Sequence, residues 1–214
     1  MRRPAFRFSL VLLLGLLGCR PSAEPEVPYY GTPDFTPQWF ANSEEAAPQI
    51  AHTVGAFRLN NQAGAVVTEQ AVRGKIHVAN FMFTRCPATC PKLTDAFNQV
   101  QTAFADQPDV LLLSFSVMPW ADSVAQLRQY AQTHDVKPGK WHLLTGPKAS
   151  IYNLARRSYF AEETPGFTKD SSQFLHTEHL VLVDRSGRLR GLYKGTQALE
   201  TERLVADIRA LLEE

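Results

Sequence analysis

The chain has little cysteine, no clear excess of charge of either sign, and no apolar run long enough to span a membrane as a helix. Only three of the 214 residues are cysteines, and 22 Lys and Arg residues stand against 21 Asp and Glu residues. A nearly neutral chain offers no electrostatic case for binding nucleic acid. The sequence also shows no internal repeat and no second domain, so one well-packed domain is expected.

The first 18 residues have the pattern of an export signal. Three arginines within the first seven residues form a basic region, and an apolar core follows at Leu10 to Leu17, too short to cross a bilayer. Leu-Leu-Gly-Cys at 16–19 resembles a bacterial lipobox, whose cysteine becomes lipid-modified. We therefore predict a lipoprotein signal peptide at 1–18 with lipid attachment at Cys19, and a lipid-anchored protein of the bacterial cell envelope that faces the periplasm or extracytoplasmic space. The alternative is an ordinary signal peptide with an incidental cysteine.

Residues 19–49 are predicted to form a tether. The segment is rich in Glu, Ala and Ser and has prolines at 21, 25, 28, 33, 37 and 48, a composition typical of extended linkers. Its aromatic residues suggest that its later part lies against the folded domain: Tyr29, Tyr30, Phe35, Trp39 and Phe40. The globular domain is expected at 50–214.

From residue 50 onward, strand patterns alternate with helical patterns. Strands are expected at 76–83, 110–117 and 142–144, with one small hairpin before them at 57–68 and another after them at 180–193. Helices are expected at about 91–105, 123–133, 148–157 and 201–212, with Ser123 as an N-cap. This order predicts an α/β fold, a thioredoxin-like mixed sheet flanked by helices, with an extra N-terminal β-hairpin.

Cys86 and Cys90 lie where the strand at 76–83 leads into a helix. That position favours a thiolate, because the unpaired N–H groups and the dipole of a helix N-terminus stabilise negative charge. The spacing is compatible with a disulfide or with one metal ion held by both sulfurs. A structural disulfide, or two buried thiols, is the alternative on spacing alone. A proline directly after each cysteine favours a bent, exposed loop that opens a helix.

Two sulfurs alone do not make a selective metal site, so a third ligand is expected among the six histidines. His176 and His179 stand out because they follow a polar loop, 162–173, just before a strand, where scaffolds commonly present binding residues. In a thioredoxin-type fold this loop approaches the cysteine helix. The other four are expected at core, flank or element-end positions: His52, His77, His134 and His142.

The segments FTRCPATCP at 83–91 and FLHTEHLVLVDRSG at 174–187 resemble the two signature segments of the Sco/SenC family. The likeness extends from about Tyr29 to the C-terminus. Members of this family are thioredoxin-fold copper chaperones that assist assembly of the dinuclear copper centre of cytochrome oxidase. The resemblance implies copper, as Cu(I) or Cu(II), with Cys86, Cys90 and His176 as ligands. It implies a copper-bearing oxidase subunit, or another copper or thiol protein, as partner. His179 is interpreted as a neighbour, because residues 176 and 179 face opposite sides of an extended strand.

The chain departs from the family pattern at two places. Many members carry an aspartate between the cysteines, where this chain has Ala88 or Thr89. The Asp-Pro-x-x-Asp motif of the family appears as Met-Pro-Trp-Ala-Asp at 118–122, so only Asp122 remains. Losing nearby carboxylates is expected to change the pKa values of the cysteines and their redox behaviour.

Three functions remain open at this point. A membrane-tethered copper chaperone would hand copper to an oxidase subunit by ligand exchange; zinc would also be satisfied by these ligands, and only the resemblance favours copper. An extracytoplasmic thiol–disulfide oxidoreductase would attack a partner disulfide with Cys86 and resolve the intermediate with Cys90. The third hypothesis is a binding domain without chemistry of its own.

Overall fold

The computed structural model describes residues 27–161 and 177–214. Their helices are α1 (Ser43–Ala46), α2 (Thr89–Ala103), α3 (Val124–Thr133), α4 (Lys148–Arg157) and α5 (Ala198–Glu213), with a 3₁₀ turn at Glu69–Ala71. The strands are β1 (Arg58–Asn61), β2 (Val66–Thr68), β3 (Ile76–Met82), β4 (Val110–Ser116), β5 (Trp141–Thr145), β6 (His179–Val183) and β7 (Leu189–Lys194). No helix of the described ranges is both long enough and apolar enough to cross a membrane.

The seven strands form one mixed sheet in the order β2-β1-β5-β4-β3-β6-β7. β3, β4 and β5 are parallel neighbours, while β6 runs antiparallel to β3 and β7 antiparallel to β6. Every residue of β3 and β4 is buried, as expected for central strands covered on both faces. The mixed sheet with helices on both faces confirms the predicted α/β class.

Side-chain alternation along β3 divides the core into two layers. Val78 belongs to the cluster on the face covered by α2, α3 and α5, whereas Ala79 belongs to the cluster on the face covered by α4. Cys90 packs in the first of these clusters, with Leu93 and Phe97 of its own helix. The face on which each side chain lies therefore decides whether it can approach the cysteines.

The element bounds differ modestly from the predicted ones. The strand expected at 76–83 ends at Met82, and the helix expected at 91–105 spans Thr89–Ala103. The Ser123 cap is confirmed, since the Ser123 hydroxyl accepts a hydrogen bond from the backbone N–H of Gln126 at 3.2 Å. The short helix α1 and the 3₁₀ turn had not been predicted, because three or four residues carry too little periodicity to be recognised.

The N-terminal segment from Val27 onward packs against the domain. The backbone N–H of Tyr30 donates to the carbonyl of Leu189 at the start of β7, at 3.0 Å. The buried Arg190 guanidinium donates to the carbonyl of Val27 at 2.7 Å, and its carbon lies 3.8 Å from the centre of the Tyr29 ring. These contacts hold residues 27–30 against the edge strand. The predicted signal peptide and Cys19 lie outside the described residues.

The loops that carry the candidate site leave the sheet at one edge, which is formed by the C-terminal ends of its parallel strands. Because β3, β4 and β5 are parallel, their C-terminal ends meet at this edge, and the loops to α2, α3 and α4 leave from it. β6 runs the opposite way and so begins there, at His179. Ligand sites of open α/β sheets characteristically lie at such an edge.

Candidate functional site

The loop between β3 and α2 carries both cysteines. The backbone N–H of Cys86 donates to the carbonyl of Phe83 at 3.3 Å, which turns the chain directly after the strand. The helix N-cap is Ala88, whose side chain can accept no hydrogen bond. Instead, the backbone N–H of Cys90 donates to Sγ of Cys86 at 3.3 Å. The Cys86 sulfur thus takes the role that a Ser or Asp side chain usually has at a helix start.

The two thiols differ in exposure. Both are free thiols in this structure; Cys86 is partly exposed, whereas Cys90 is buried, with 6% of its surface accessible. Helix α2 begins before Cys90, so this residue points from the first turn into the core cluster. The pair therefore offers one sulfur to the surface and keeps the other inside.

The pKa values of the two thiols move in opposite directions. Partial burial raises the pKa of Cys86, but hydrogen bonds from the backbone N–H groups of Cys90, Ala88 and Thr89 outweigh this and hold it below the ordinary thiol value. Burial, with smaller contributions from the neighbouring Cys86 sulfur and the Asp122 carboxylate, raises the pKa of Cys90 to about 12. The accessible thiol is therefore the more acidic one.

Asp122 fastens the start of the cysteine loop. Its carboxylate accepts hydrogen bonds from the Thr84 hydroxyl at 2.6 Å, from the Thr84 backbone N–H at 3.2 Å and from the Ser116 hydroxyl at 2.6 Å. The residue is 1% exposed. The one acid retained from the family motif thus joins the end of β4 to the residue two positions before Cys86.

A second polar chain lies beneath the loop, and sequence reasoning had missed it. The Thr94 hydroxyl donates to the carbonyl of Cys90 at 2.9 Å and lies 2.6 Å from the hydroxyl of Tyr130 on α3. Burial raises the pKa of Tyr130 to about 12. The position of Thr94, four residues after Cys90 on a helix, was a readable signal for the first bond. No sequence pattern connects Tyr130 to it.

Four histidines lie away from the cysteines, as the sequence had suggested. Nε2 of His77 is 3.0 Å from the Tyr159 hydroxyl in the core layer beneath α4, and Nε2 of His52 is 3.0 Å from the Ser158 carbonyl. His142 lies 3.4 Å from the amide of Asn61, and His134 caps the C-terminus of α3.

The two remaining histidines bear on the predicted third ligand. His176 lies outside the described residues. Nδ1 of His179 is 3.1 Å from the Thr177 hydroxyl, and His179 shares its strand face with Val181, which packs in the layer opposite Cys90. Within 27–161 and 177–214, no group of three His, Cys, Asp or Glu residues is placed to hold a metal ion.

The family model described as SCO1/SenC matches residues 45–213, which include both cysteines and both of these histidines. The chain belongs to the SCO1/SenC family. The match covers most of the chain and confirms the resemblance inferred from the two signature segments.

Three solved structures of this family are similar to the chain. A SCO1/SenC family lipoprotein from Bacillus anthracis has 27% identity and a TM-score of 0.65, with 75% of this chain and 95% of that one covered. BsSco, described as a cytochrome c oxidase assembly protein with a disulfide switch, has 27% identity and a TM-score of 0.62, covering 75% and 93%. Bradyrhizobium japonicum ScoI, solved with copper bound, has 28% identity and a TM-score of 0.60, covering 74% and 99%.

Proposed function

We propose that the protein is a copper chaperone that binds one copper ion through Cys86, Cys90 and His176 and delivers it to the copper-bearing subunit of cytochrome c oxidase. The observation that carries the proposal is the pair of free thiols at the start of α2, in a chain of the SCO1/SenC family. The copper-bound state of a relative with the same fold and the oxidase-assembly role of another support it.

The two thiols suit a soft metal ion that must be both bound and released. Thiolates are the ligands that Cu(I) prefers, and an added imidazole also accommodates Cu(II). Cys86 supplies a readily formed thiolate near the surface, whereas Cys90, with its raised pKa, has to lose a proton before it can bind the metal. Because Cys90 readily takes its proton back, this second sulfur favours release of the copper ion when a partner competes for it.

The start of β6 supports His176 as the third ligand. β6 begins at the edge of the sheet where the cysteine loop lies, because it pairs antiparallel with β3. Thr177 lies two residues before the first residue of β6, and His176 directly precedes Thr177 in the sequence. His179 is the weaker candidate, since it bonds Thr177 and faces the layer opposite Cys90.

The chain organisation that goes with this function has a lipid anchor at Cys19. Residues 1–18 are the signal peptide and 19–49 the tether, with the thioredoxin-like domain at 50–214. The lipobox-like residues and the lipoprotein character of the Bacillus anthracis relative support an envelope location. Val27 and Tyr30 contact the domain. Only the part of the tether before residue 27 would therefore act as a spacer between the anchor and the domain.

The decisive test is a copper titration of the reduced protein, followed by absorption and magnetic resonance spectroscopy. One copper per chain with thiolate charge-transfer bands is expected. His176→Ala should abolish tight binding, while the matched control His179→Ala should retain it. Copper binding no tighter than that of a variant with both Cys86 and Cys90 replaced by serine would refute the proposal.

A second function, thiol–disulfide exchange, is favoured by the opposite pKa shifts of the two thiols. The Cys86 thiolate would attack a partner disulfide, form a mixed disulfide and release one partner thiolate. Cys90, giving its proton to the partner thiolate released first, would then attack the Cys86 sulfur, forming the Cys86–Cys90 disulfide and releasing the second partner thiolate, so that two electrons pass to the partner. The disulfide switch of BsSco supports this alternative. Retention of disulfide reduction by His176→Ala, together with a trapped mixed disulfide in Cys90→Ser, would establish it.

A further inference from the structure

Three loops meet beside the cysteines, and one of them presents a large exposed aromatic side chain. Trp120, in the loop between β4 and α3, is 60% exposed. Asp122, two residues later in the same loop, bonds the backbone and hydroxyl of Thr84, which begins the cysteine loop. The indole therefore belongs to the surface that surrounds Cys86.

The Trp120 ring is held in place by a cation from the third loop. Nζ of Lys148, at the start of α4, lies 5.2 Å from the centre of the Trp120 ring and 5.0 Å from the centre of the Tyr152 ring. Such cation–π contacts contribute about 0.5–1 kcal/mol at exposed sites. An exposed aromatic that is already ordered loses little conformational freedom on binding, which is the property of an interface anchor.

Three basic side chains among the described residues belong to the loops and helix starts around this aromatic residue. Arg85 and Lys92 are exposed on either side of the thiol pair, and Lys148 lies over the indole. Among the described residues none of these three cations forms an ion pair. Asp122, in the same loop as Trp120, is buried and already hydrogen-bonded, and Asp95 lies one turn further along α2 than Lys92.

We propose that Trp120, with the rim formed by Arg85, Lys92 and Lys148, is the surface on which the copper-accepting protein docks, and that the docking face of that protein is acidic around an apolar centre. This inference rests on the proposed function for the identity of the partner. The cations steer an acidic face toward the thiols, and the indole fills a pocket at its centre. A second copy of this chain is a poor occupant, because the basic rims would then face each other.

The test measures complex formation between the reduced full chain and the copper-free soluble domain of the oxidase subunit that carries the dinuclear copper centre. Trp120→Ala is expected to raise the dissociation constant by about tenfold or more. Trp120→Phe should raise it by less, because an aromatic ring is kept. The matched control is Trp39→Ala, which removes a comparably exposed indole, 54% accessible, from the N-terminal segment. It should change the constant by less than about twofold.

Salt and charge reversal test the basic rim. The association rate constant should fall as the salt concentration rises, and Lys92→Glu should lower it further while making it less sensitive to salt. Equal effects of Trp120→Ala and Trp39→Ala, a salt-independent rate, or no complex with the wild-type chain would overturn the docking surface. A loss of self-association in Trp120→Ala, with partner binding unchanged, would overturn the choice of partner. Copper titration of Trp120→Ala should match that of the wild type. Failure of the wild-type chain to bind copper would count against the proposed function, whereas the effect of Trp120→Ala on complex formation tests the docking surface.

Discussion

Sγ of Cys86 accepts a hydrogen bond from the backbone N–H of Cys90 at 3.3 Å, so the first reactive atom of the thiol pair also caps the helix that carries the second. Alkylation of this sulfur, or its inclusion in a disulfide, makes it a poorer acceptor and so weakens the hydrogen bond at the start of α2. The chemistry of the site and the local structure of the helix are thereby coupled.

The two thiols should react at very different rates. In the reduced, metal-free protein, iodoacetamide should modify Cys86 first, with a pH midpoint below that of an ordinary thiol, because backbone N–H groups stabilise its thiolate. Cys90, whose pKa burial raises to about 12, should react slowly at pH 8. Mass spectrometry of the wild type and of Cys86→Ser and Cys90→Ser, sampled over time and pH, measures both rates. Equal rates would show that the hydrogen bond and the burial have no such effect.

Asp122→Ala should destabilise the protein by about 2–4 kcal/mol, because it leaves the partly buried donors of Thr84 and the buried hydroxyl of Ser116 without their acceptor. Urea denaturation of the reduced protein measures the change. The control is Asp135→Asn, which removes the charge of an exposed ion pair with Lys137, keeps a residue type suited to the positive φ of 53° at this position, and is expected to change stability by less than about 1 kcal/mol. Similar losses in the two variants would mean that the Asp122 bonds contribute little.

Stability should fall in mild acid because of His77. Burial lowers the pKa of His77 to about 3 in the folded protein, whereas the unfolded chain takes up the proton near pH 6.5. Between these values the unfolded state binds one more proton, so the free energy of unfolding should decrease by up to about 1.4 kcal/mol per pH unit as the pH falls. Above pH 7 this contribution is constant.

His77→Gln should remove that part of the slope. Denaturation midpoints of the two proteins, measured from pH 8 to pH 4, should differ by a constant amount above pH 7 and converge below it. Parallel curves over the whole range would show that His77 is not the group that takes up the proton.

Arg190→Met should release the N-terminal segment. Arg190 bonds the Glu214 carboxylate with two hydrogen bonds of 2.7 Å as well as the carbonyl of Val27. Because Glu214 is 42% exposed on its side chain, the loss is expected at about 2–3 kcal/mol, below that of a fully buried pair. Hydrogen exchange at Tyr30 should accelerate as well. Lys137→Ala, which breaks an exposed ion pair with Asp135, is the control and should leave that exchange rate unchanged.

Local rules were enough to predict the strands and the four longer helices of the fold, and their order. The continuous apolar run at 110–117 became the central strand Val110–Ser116, and the hydroxyl before the third helix became its cap at Ser123. The start of α2 was placed two residues late, at Pro91 rather than Thr89. A helix start is usually recognised by a polar cap residue, and here a sulfur four residues upstream of the bonded N–H performs that role.

Contacts between distant parts of the chain could not be predicted in this way. The bond between Arg190 and the carbonyl of Val27 joins residues 163 positions apart, and the Asp122–Thr84 bond joins residues 38 apart. Such pairings depend on strand order and on which loops share an edge of the sheet. The roles of Cys86, Cys90 and His176 as copper ligands stay predictions, for which the titration of the histidine variants is the test.

The hydrogen bond between Tyr30 and Leu189 places the N-terminal segment at the end of the domain opposite the thiols. Leu189 pairs with Val183, which pairs with His77 near the beginning of β3, whereas Cys86 follows the end of that strand. The chain therefore enters the domain at one pole and displays its sulfurs at the opposite pole, about 20 Å away along a strand of seven residues. The proposed lipid anchor would therefore hold the domain from the pole opposite the thiols, and the proposed copper acceptor would approach the domain from the thiol side.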